Sequence, residues 1–468
     1  MEESIQEIAN ETEIETPVQN SDGNKDEKRS KFVTKLLELD IATHILVFLG
    51  IVIIIGAYII LPSIASFLQN QKNTNNQTGN SVQLSDAEVD KSIRELSDEV
   101  VRPVYASDAV VDPKQIFSYP ASKVTLAFTG EPKKEVYGFF PYWMLPAYDE
   151  ISLNALTTIG LFALDVDRKG NMIATGPDGK TSPGWDMWSN PSLNLFINKA
   201  KKRRIKVELG IKSFSNANTE ALVLSDDAQK TFIANVLFMV NSKGLDGVNL
   251  DFEYVGTPMK EVRDGFTRMI QNLRLEMKRQ YPNLSLTLDT YVSEAAIPRL
   301  IDLEALESTV DAFIIMDYDF HTPRGGPGPI APMEGGGYST IGFLQSYFEK
   351  VSPEKLVLAV AYYGYDWTNP PSSSAKVLPY AELAAMSKNH TIQWDDAAQS
   401  PFYTYTDPTS GQKRIVYFEN PRSLGVKYDY VNRKNMRGIG IWALGYDGLN
   451  SDLRTLIAEK FSRILTTN

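Results

Sequence analysis

The sequence predicts an α/β fold, a (β/α)8 barrel of parallel strands, with a small α+β insertion between strands 7 and 8 and one transmembrane helix ahead of the barrel. Three observations lead there: eight short β-branched or apolar runs, helical stretches between most of them, and a gap of about seventy residues before the last run. The main alternative is an open doubly wound sheet. No glycine-rich dinucleotide fingerprint follows the first run, which removes the commonest functional reason for that alternative.

In chain order the runs are "VYGFF" from 136, "TTIGLFAL" from 157, "IKVELGI" from 205, "LDGVNLDFE" from 245, "LSLTLDTY" from 284, "VDAFIIMDYD" from 310, "KLVLAVAYYG" from 355 and "GIGIWALG" from 438. Residues 225–243, 258–281 and 449–466 read as helices. Strands covered on both faces read as near-continuous apolar runs, and several of these do. From Trp367 to Met436 the chain is too long for one loop and helix and holds the strand-like "RIVYFEN". Residues of about 367–436 are therefore expected to form the insertion, beside the barrel mouth.

The fourth run carries the chemistry. In "LDGVNLDFEYVG" strand alternation puts Val248, Leu250 and Phe252 on one face and Asn249, Asp251 and Glu253 on the other. In a barrel the first set packs on the helix ring and the second lines the inside, neighbours being roughly 6 to 7 Å apart. Two enclosed carboxylates at that spacing repel, so one is expected to hold a proton at higher pH than in water, as a general acid must. On this segment alone an edge strand showing polar groups to solvent is the competing reading; the seven sibling runs weigh against it.

Other strand ends add acids and aromatics. Asp317, Tyr318 and Asp319 close the sixth run, Tyr142 and Trp143 follow the first, and Trp442 lies in the eighth. Each has an ordinary explanation, core filler for Trp442, a surface contact for Tyr142 and Trp143, a helix cap for Asp317 or Asp319. Their shared position at strand ends argues for a site. Aromatic faces with carboxylates and few cations suit a sugar, whose C–H faces stack on rings while its hydroxyls seek acceptors.

Composition narrows the classes. At 43% hydrophobic and 22% charged the 468 residues have an ordinary globular balance, and a net charge of −11 disfavours nucleic acid as a partner. The absence of cysteine excludes disulfides, thiolate zinc sites and a cysteine nucleophile. With His44, His321 and His390 the only histidines, no histidine-built metal centre is expected, and no cofactor.

Residues 41–71 hold no Asp, Glu, Lys or Arg, and Ile45 to Ile64 is long enough as a helix to cross roughly 30 Å of hydrocarbon. The transmembrane helix is placed at 41–68. Lys25, Lys28, Arg29, Lys31 and Lys35 crowd its N-terminal flank against Lys72 on the other side, so the N-terminus is expected in the cytoplasm. Residues 1–40 then form a disordered acidic tail, 69–130 an extracytoplasmic linker or stalk, and 131–468 the catalytic domain. The expected location is the cell membrane, single-pass, with the membrane met through residues 41–68.

These residues resemble a known family. "DGVNLDFE" looks like the DxxDxDxE signature of the family 18 glycoside hydrolases, the chitinase-like enzymes; "MDYD" resembles their sixth-strand M-x-Y-D, and "GIGIWALGYDG" their tryptophan-bearing eighth strand. The resemblance spans about 131–468, and the wording is most similar to the bacterial spore-germination and cortex-lytic branch. It implies a retaining glycosidase acting on β-1,4 bonds of N-acetylglucosamine-containing glycan, peptidoglycan or chitin-like. Glu253 would protonate the leaving oxygen, Asp251 would orient the substrate's 2-acetamido group, and Tyr318 would donate to its carbonyl. Asp319 and Tyr142 would hold the sugar, with Trp442 beneath it. The acetamido oxygen acts as nucleophile in this family, an exception to the two-carboxylate scheme.

The sequence departs from the family at two places. Asn249 stands where many members have aspartate, which leaves one charge fewer beside Asp251, although an amide can still donate to it. "SFSN", Ser213 to Asn216, replaces a Ser-x-Gly-Gly. Two other readings stay open: a lectin-like barrel without turnover, and an inverting glycosidase in which Asp317 or Asp319 activates water.

Overall fold

The computed structural model describes residues 109–121, 132–335 and 338–462. The predicted acidic tail and transmembrane helix lie outside them. Among the described residues no helix is long and apolar enough to cross a membrane.

All eight runs become strands of one closed barrel. They are β1 (Glu135–Pro141), β2 (Thr158–Asp165), β3 (Lys206–Ser213), β4 (Gly247–Phe252), β5 (Ser285–Tyr291), β6 (Ala312–Met316), β7 (Leu356–Ala361) and, last in the chain, β13 (Gly438–Trp442). Every ladder in the ring β1-β13-β7-β6-β5-β4-β3-β2 is parallel. Parallel neighbours need long crossovers, and helices supply them. Helix Asp226–Lys243 precedes β4: Ser225 caps it by accepting from the Ala228 amide, and Gly244, at φ 57°, ends it in the left-handed conformation.

The outward face of β4 packs as alternation requires. Val248 and Leu250 are fully buried, and the Phe252 ring meets Phe232 and Phe266 at centroid distances of 6.2 and 5.4 Å. Phe266 belongs to the next helix, Lys260–Gln280, whose buried Val262, Phe266, Met269, Ile270, Leu273 and Met277 repeat at helical spacing. Each such side chain contributes roughly 1.5–3 kcal/mol of burial. Helix and strand thus fix which face of β4 is left to the interior.

Between β7 and β13 the chain builds a second sheet, antiparallel, from β8 (Tyr363–Thr368), β9 (Lys376–Pro379), β10 (Gln393–Asp395), β11 (Ser400–Thr406) and β12 (Lys413–Phe418), in the order β10-β11-β12-β8-β9. It starts at Tyr363, four residues before the expected Trp367, because the tyrosine-rich end of the seventh run leaves the barrel and pairs with β12. On β8, Tyr363, Tyr365 and Trp367 share one face; on the other, Asp366 takes a buried ion pair from Arg414 at 2.8 Å.

One further boundary differs from expectation. Residues up to about 130 read as a stalk, yet Pro113–Ser118 is a helix, capped by Asp112 and started by Pro113, whose Ile116 and Phe117 are buried in the core shared with the barrel. Apolar burial, not the surrounding proline-rich composition, decides the conformation of this short piece.

Candidate active site

The cavity at the carboxyl ends of the barrel strands has a volume of about 360 Å³. Asp251, Glu253, Tyr318, Asp319 and Trp442 line it together. Asp251 is the penultimate residue of β4 and Glu253 the first beyond it, so one strand delivers both carboxyls to the mouth. The backbone around Glu253 is held tightly. Its N–H donates to Ser213 O at 3.1 Å, and Asn216 closes two bonds on the Val255 backbone, each 2.9 Å. The "SFSN" departure is therefore a clamp: Ser213 and Asn216 hold the backbone on either side of Tyr254, and Ser215 caps the helix that begins at Asn216.

The Glu253 carboxylate accepts a hydrogen bond from the Tyr291 hydroxyl at 3.0 Å. Tyr318 lines the same cavity, its ring edge-on to Tyr363 at 6.2 Å. Burial, followed by the carboxylates of Asp289, Asp251, Asp319 and Glu253, pushes its phenol far above the ordinary value. Tyr318 therefore remains a donor. Asp319, at φ 59°, accepts from the Tyr363 and Tyr365 hydroxyls, both at 2.5 Å, so the inserted sheet reaches into the site and fixes this carboxylate. Trp442 forms part of the cavity wall beside Phe139, 5.5 Å away, and packs edge-on against Phe162 at 4.6 Å.

Four residues singled out in the sequence lie elsewhere. Asn249 points into the barrel but sits below the cavity, 1% exposed, and its amide donates to Thr287 at 3.1 Å and Asp289 at 2.8 Å, across the ladder toward β5. Asp317 is fully buried away from the cavity and accepts from Thr340 Oγ1 at 2.7 Å at the start of helix Thr340–Phe348. Burial, opposed by Lys427, pushes Asp317 up to about 7. It ties a helix to β6, its carboxyl turned to Thr340 and not to the cavity. Tyr142 and Trp143 begin a 3-10 turn and line a neighbouring depression with Pro183, Met187 and Asn190. Trp143 backs Trp442 edge-on at 6.3 Å.

Sequence reasoning missed Asp289, Tyr291 and Arg299, all lining the cavity. The signal for two of them was the alternation Thr287, Asp289, Tyr291 in "LSLTLDTY", the same period that exposed Asp251 and Glu253. Beneath them Glu208 of β3 accepts from Thr287 at 2.7 Å, Tyr137 at 3.1 Å and Ser285 at 2.5 Å. A polar column runs from Glu208 through Thr287 and Asn249 to Asp289. Burial pushes Asp289 well above the usual carboxylate range, with Glu208 and Glu253 adding repulsion against the Asn249 bond.

Chemically the cavity brings together carboxyls, a phenol donor and an indole. The chain matches the model of the glycosyl hydrolases family 18 over residues 170–447. It is 26% identical over 325 residues to the cortical fragment-lytic enzyme of Bacillus subtilis, covering 67% of this chain and 69% of that one. With the human di-N-acetylchitobiase it shares 25% identity over 245 residues, 47% of this chain and 63% of the relative. It spans about two thirds of the length of these curated relatives. Among solved structures, the Bacillus megaterium spore cortex-lytic enzyme SleL has a similar fold, with a TM-score of 0.56 at 20% identity over 72% of this chain and 76% of that one. With the signature strand, the partner residues and the barrel in place, the chain belongs to glycosyl hydrolases family 18 and is a glycoside hydrolase.

Proposed function

We propose that the protein is a membrane-anchored, retaining glycosidase that cleaves β-1,4 bonds beside N-acetylglucosamine by substrate-assisted catalysis. One observation carries this reading: Glu253, Asp251 and Tyr318 meet on one cavity beside Trp442. Glu253, oriented by Tyr291, delivers a proton to the glycosidic oxygen and the C–O bond breaks with its electron pair on that oxygen. The substrate's acetamido carbonyl attacks the anomeric carbon as this happens. Tyr318 donates to that carbonyl, Asp251 faces the positive charge that develops on the acetamide, and Glu253 then takes a proton from the water that opens the cyclic intermediate. Catalysis of this kind is positioning plus electrostatics in an enclosed site. The anchor rests on the apolar, charge-free stretch 41–68 and the basic flank before it.

The test uses full-length protein on N-acetylated glycan, with release of reducing ends as the readout. Turnover that falls at least a thousandfold in Glu253→Gln supports the reading; an unaffected variant, or binding of oligosaccharide with no hydrolysis over days, overturns it.

A further inference from the structure

Resting on the glycosidase reading above, we propose that Arg299, stacked on Tyr291, is a subsite for a carboxylate carried by the sugar's substituent, so that the enzyme selects acid-substituted N-acetylated glycan over neutral chitin-like chains.

Arg299 is the one cation among the described residues that line the cavity, where Asp251, Glu253, Asp289 and Asp319 supply four carboxyl groups. Its guanidinium carbon lies 4.8 Å from the Tyr291 ring centroid, and the hydroxyl of the same ring donates to Glu253. One tyrosine therefore touches both the cation and the acid. Among the described residues Arg299 takes part in no ion pair, and its Nε is buried without a hydrogen-bond partner. Glu294, the carboxyl that acts on it through space, is 4% exposed and engaged by the Ile301 N–H at 2.8 Å. Burial raises Glu294 to about 7, so it offsets the guanidinium incompletely at neutral pH.

A glycan of hydroxyls and acetamides makes no demand for such a group. An anionic glycan does, because the ionised carboxyls of the cavity would otherwise repel it. The planar guanidinium fork matches a carboxylate with two parallel bonds, and its stacking on Tyr291 holds it ready. Tyr338, 68% exposed, and Phe343 line the same cavity and give the adjoining sugar ring a face to rest on. The substrate class is an N-acetylated hexosamine polymer bearing a 3-O-carboxyalkyl group, as in muramoyl strands, the carboxylate belonging either to the lactyl ether or to an attached peptide.

The experiment measures kcat/KM of full-length enzyme on four glycans: muramoyl strands stripped of peptide, the same strands with carboxyls reduced to alcohols, peptide-bearing strands, and chito-oligosaccharide. In wild type, reduction lowers kcat/KM about tenfold, mostly through KM; Arg299→Met costs about tenfold on the stripped strands, and reduction then costs nothing more. Arg299→Lys recovers part of the loss. Sensitivity to Arg299→Met confined to peptide-bearing strands assigns the carboxylate to the peptide. Equal losses on acidic and neutral glycans in Arg299→Met overturn the proposal and leave Arg299 as a support for Tyr291. Binding of the four glycans to Glu253→Gln protein reads the same contrast independently of turnover: a retained contrast with no wild-type hydrolysis supports this subsite while defeating the glycosidase reading.

Discussion

The Asn249 side-chain amide donates to the Asp289 carboxyl at 2.8 Å, from β4 to β5. The signature strand lacks a carboxylate at 249, and the neighbouring strand supplies one at hydrogen-bond distance from that position. Asn249 neutralises nothing, but it keeps the buried Asp289 oriented between Glu208 and Glu253, both of which raise its proton affinity.

The relationship has a kinetic consequence. Asp289 and Glu253 repel when both are ionised, so the two together lose their last proton at raised pH, and removing one of them lowers that pH. Asp289→Asn is expected to shift the basic limb of the kcat/KM profile down by roughly one pH unit, and the double exchange Asn249→Asp with Asp289→Asn to bring much of it back. A limb that stays in place in Asp289→Asn contradicts electrostatic coupling between the two carboxyls.

Tyr291 orients Glu253 through one bond of 3.0 Å. Tyr291→Phe keeps the ring and removes the donor, so kcat is expected to fall about tenfold with KM little changed and a Tm shift of no more than a few degrees. Steady-state kinetics beside calorimetry separates this from a structural effect, which would move Tm first.

Glu208 gives a stability signature. Burial, against bonds from Ser285, Thr287 and Tyr137, raises its carboxyl from 4.5 to about 7. Between those values the folded state holds more protons than the unfolded state, so this contribution to stability is full below about 4.5, declines as pH rises to about 7 and is flat beyond. Glu208→Gln lacks the decline. The stability gap between wild type and variant, from urea unfolding, is expected to change in the variant's favour by a few kcal/mol between pH 4.5 and 8. A constant gap contradicts a protonated Glu208.

The barrel was legible in the sequence because each of its strands is apolar enough to declare itself, and Asp251 with Glu253 because strand alternation dictates their side. Asp317 and Asp319 are two residues apart beyond the end of β6, where strand geometry no longer applies: the positive φ of Asp319 turns one into the cavity while the other is sealed against Thr340. The Tyr363 and Tyr365 donors were hidden because they arrive from an inserted sheet whose pairing is long-range. Arg299 follows β5 in an irregular loop, where no period marks which side chains face a cavity.

In the proposed mechanism the acetamido group of the substrate, not water, makes the first attack while Glu253 protonates the leaving oxygen. Proton NMR of the first product from an N-acetylated oligosaccharide measures it directly. The expected result is the β anomer appearing first and relaxing to the mixture, with no product from Glu253→Gln. An α anomer formed first means inversion by water, and contradicts the account.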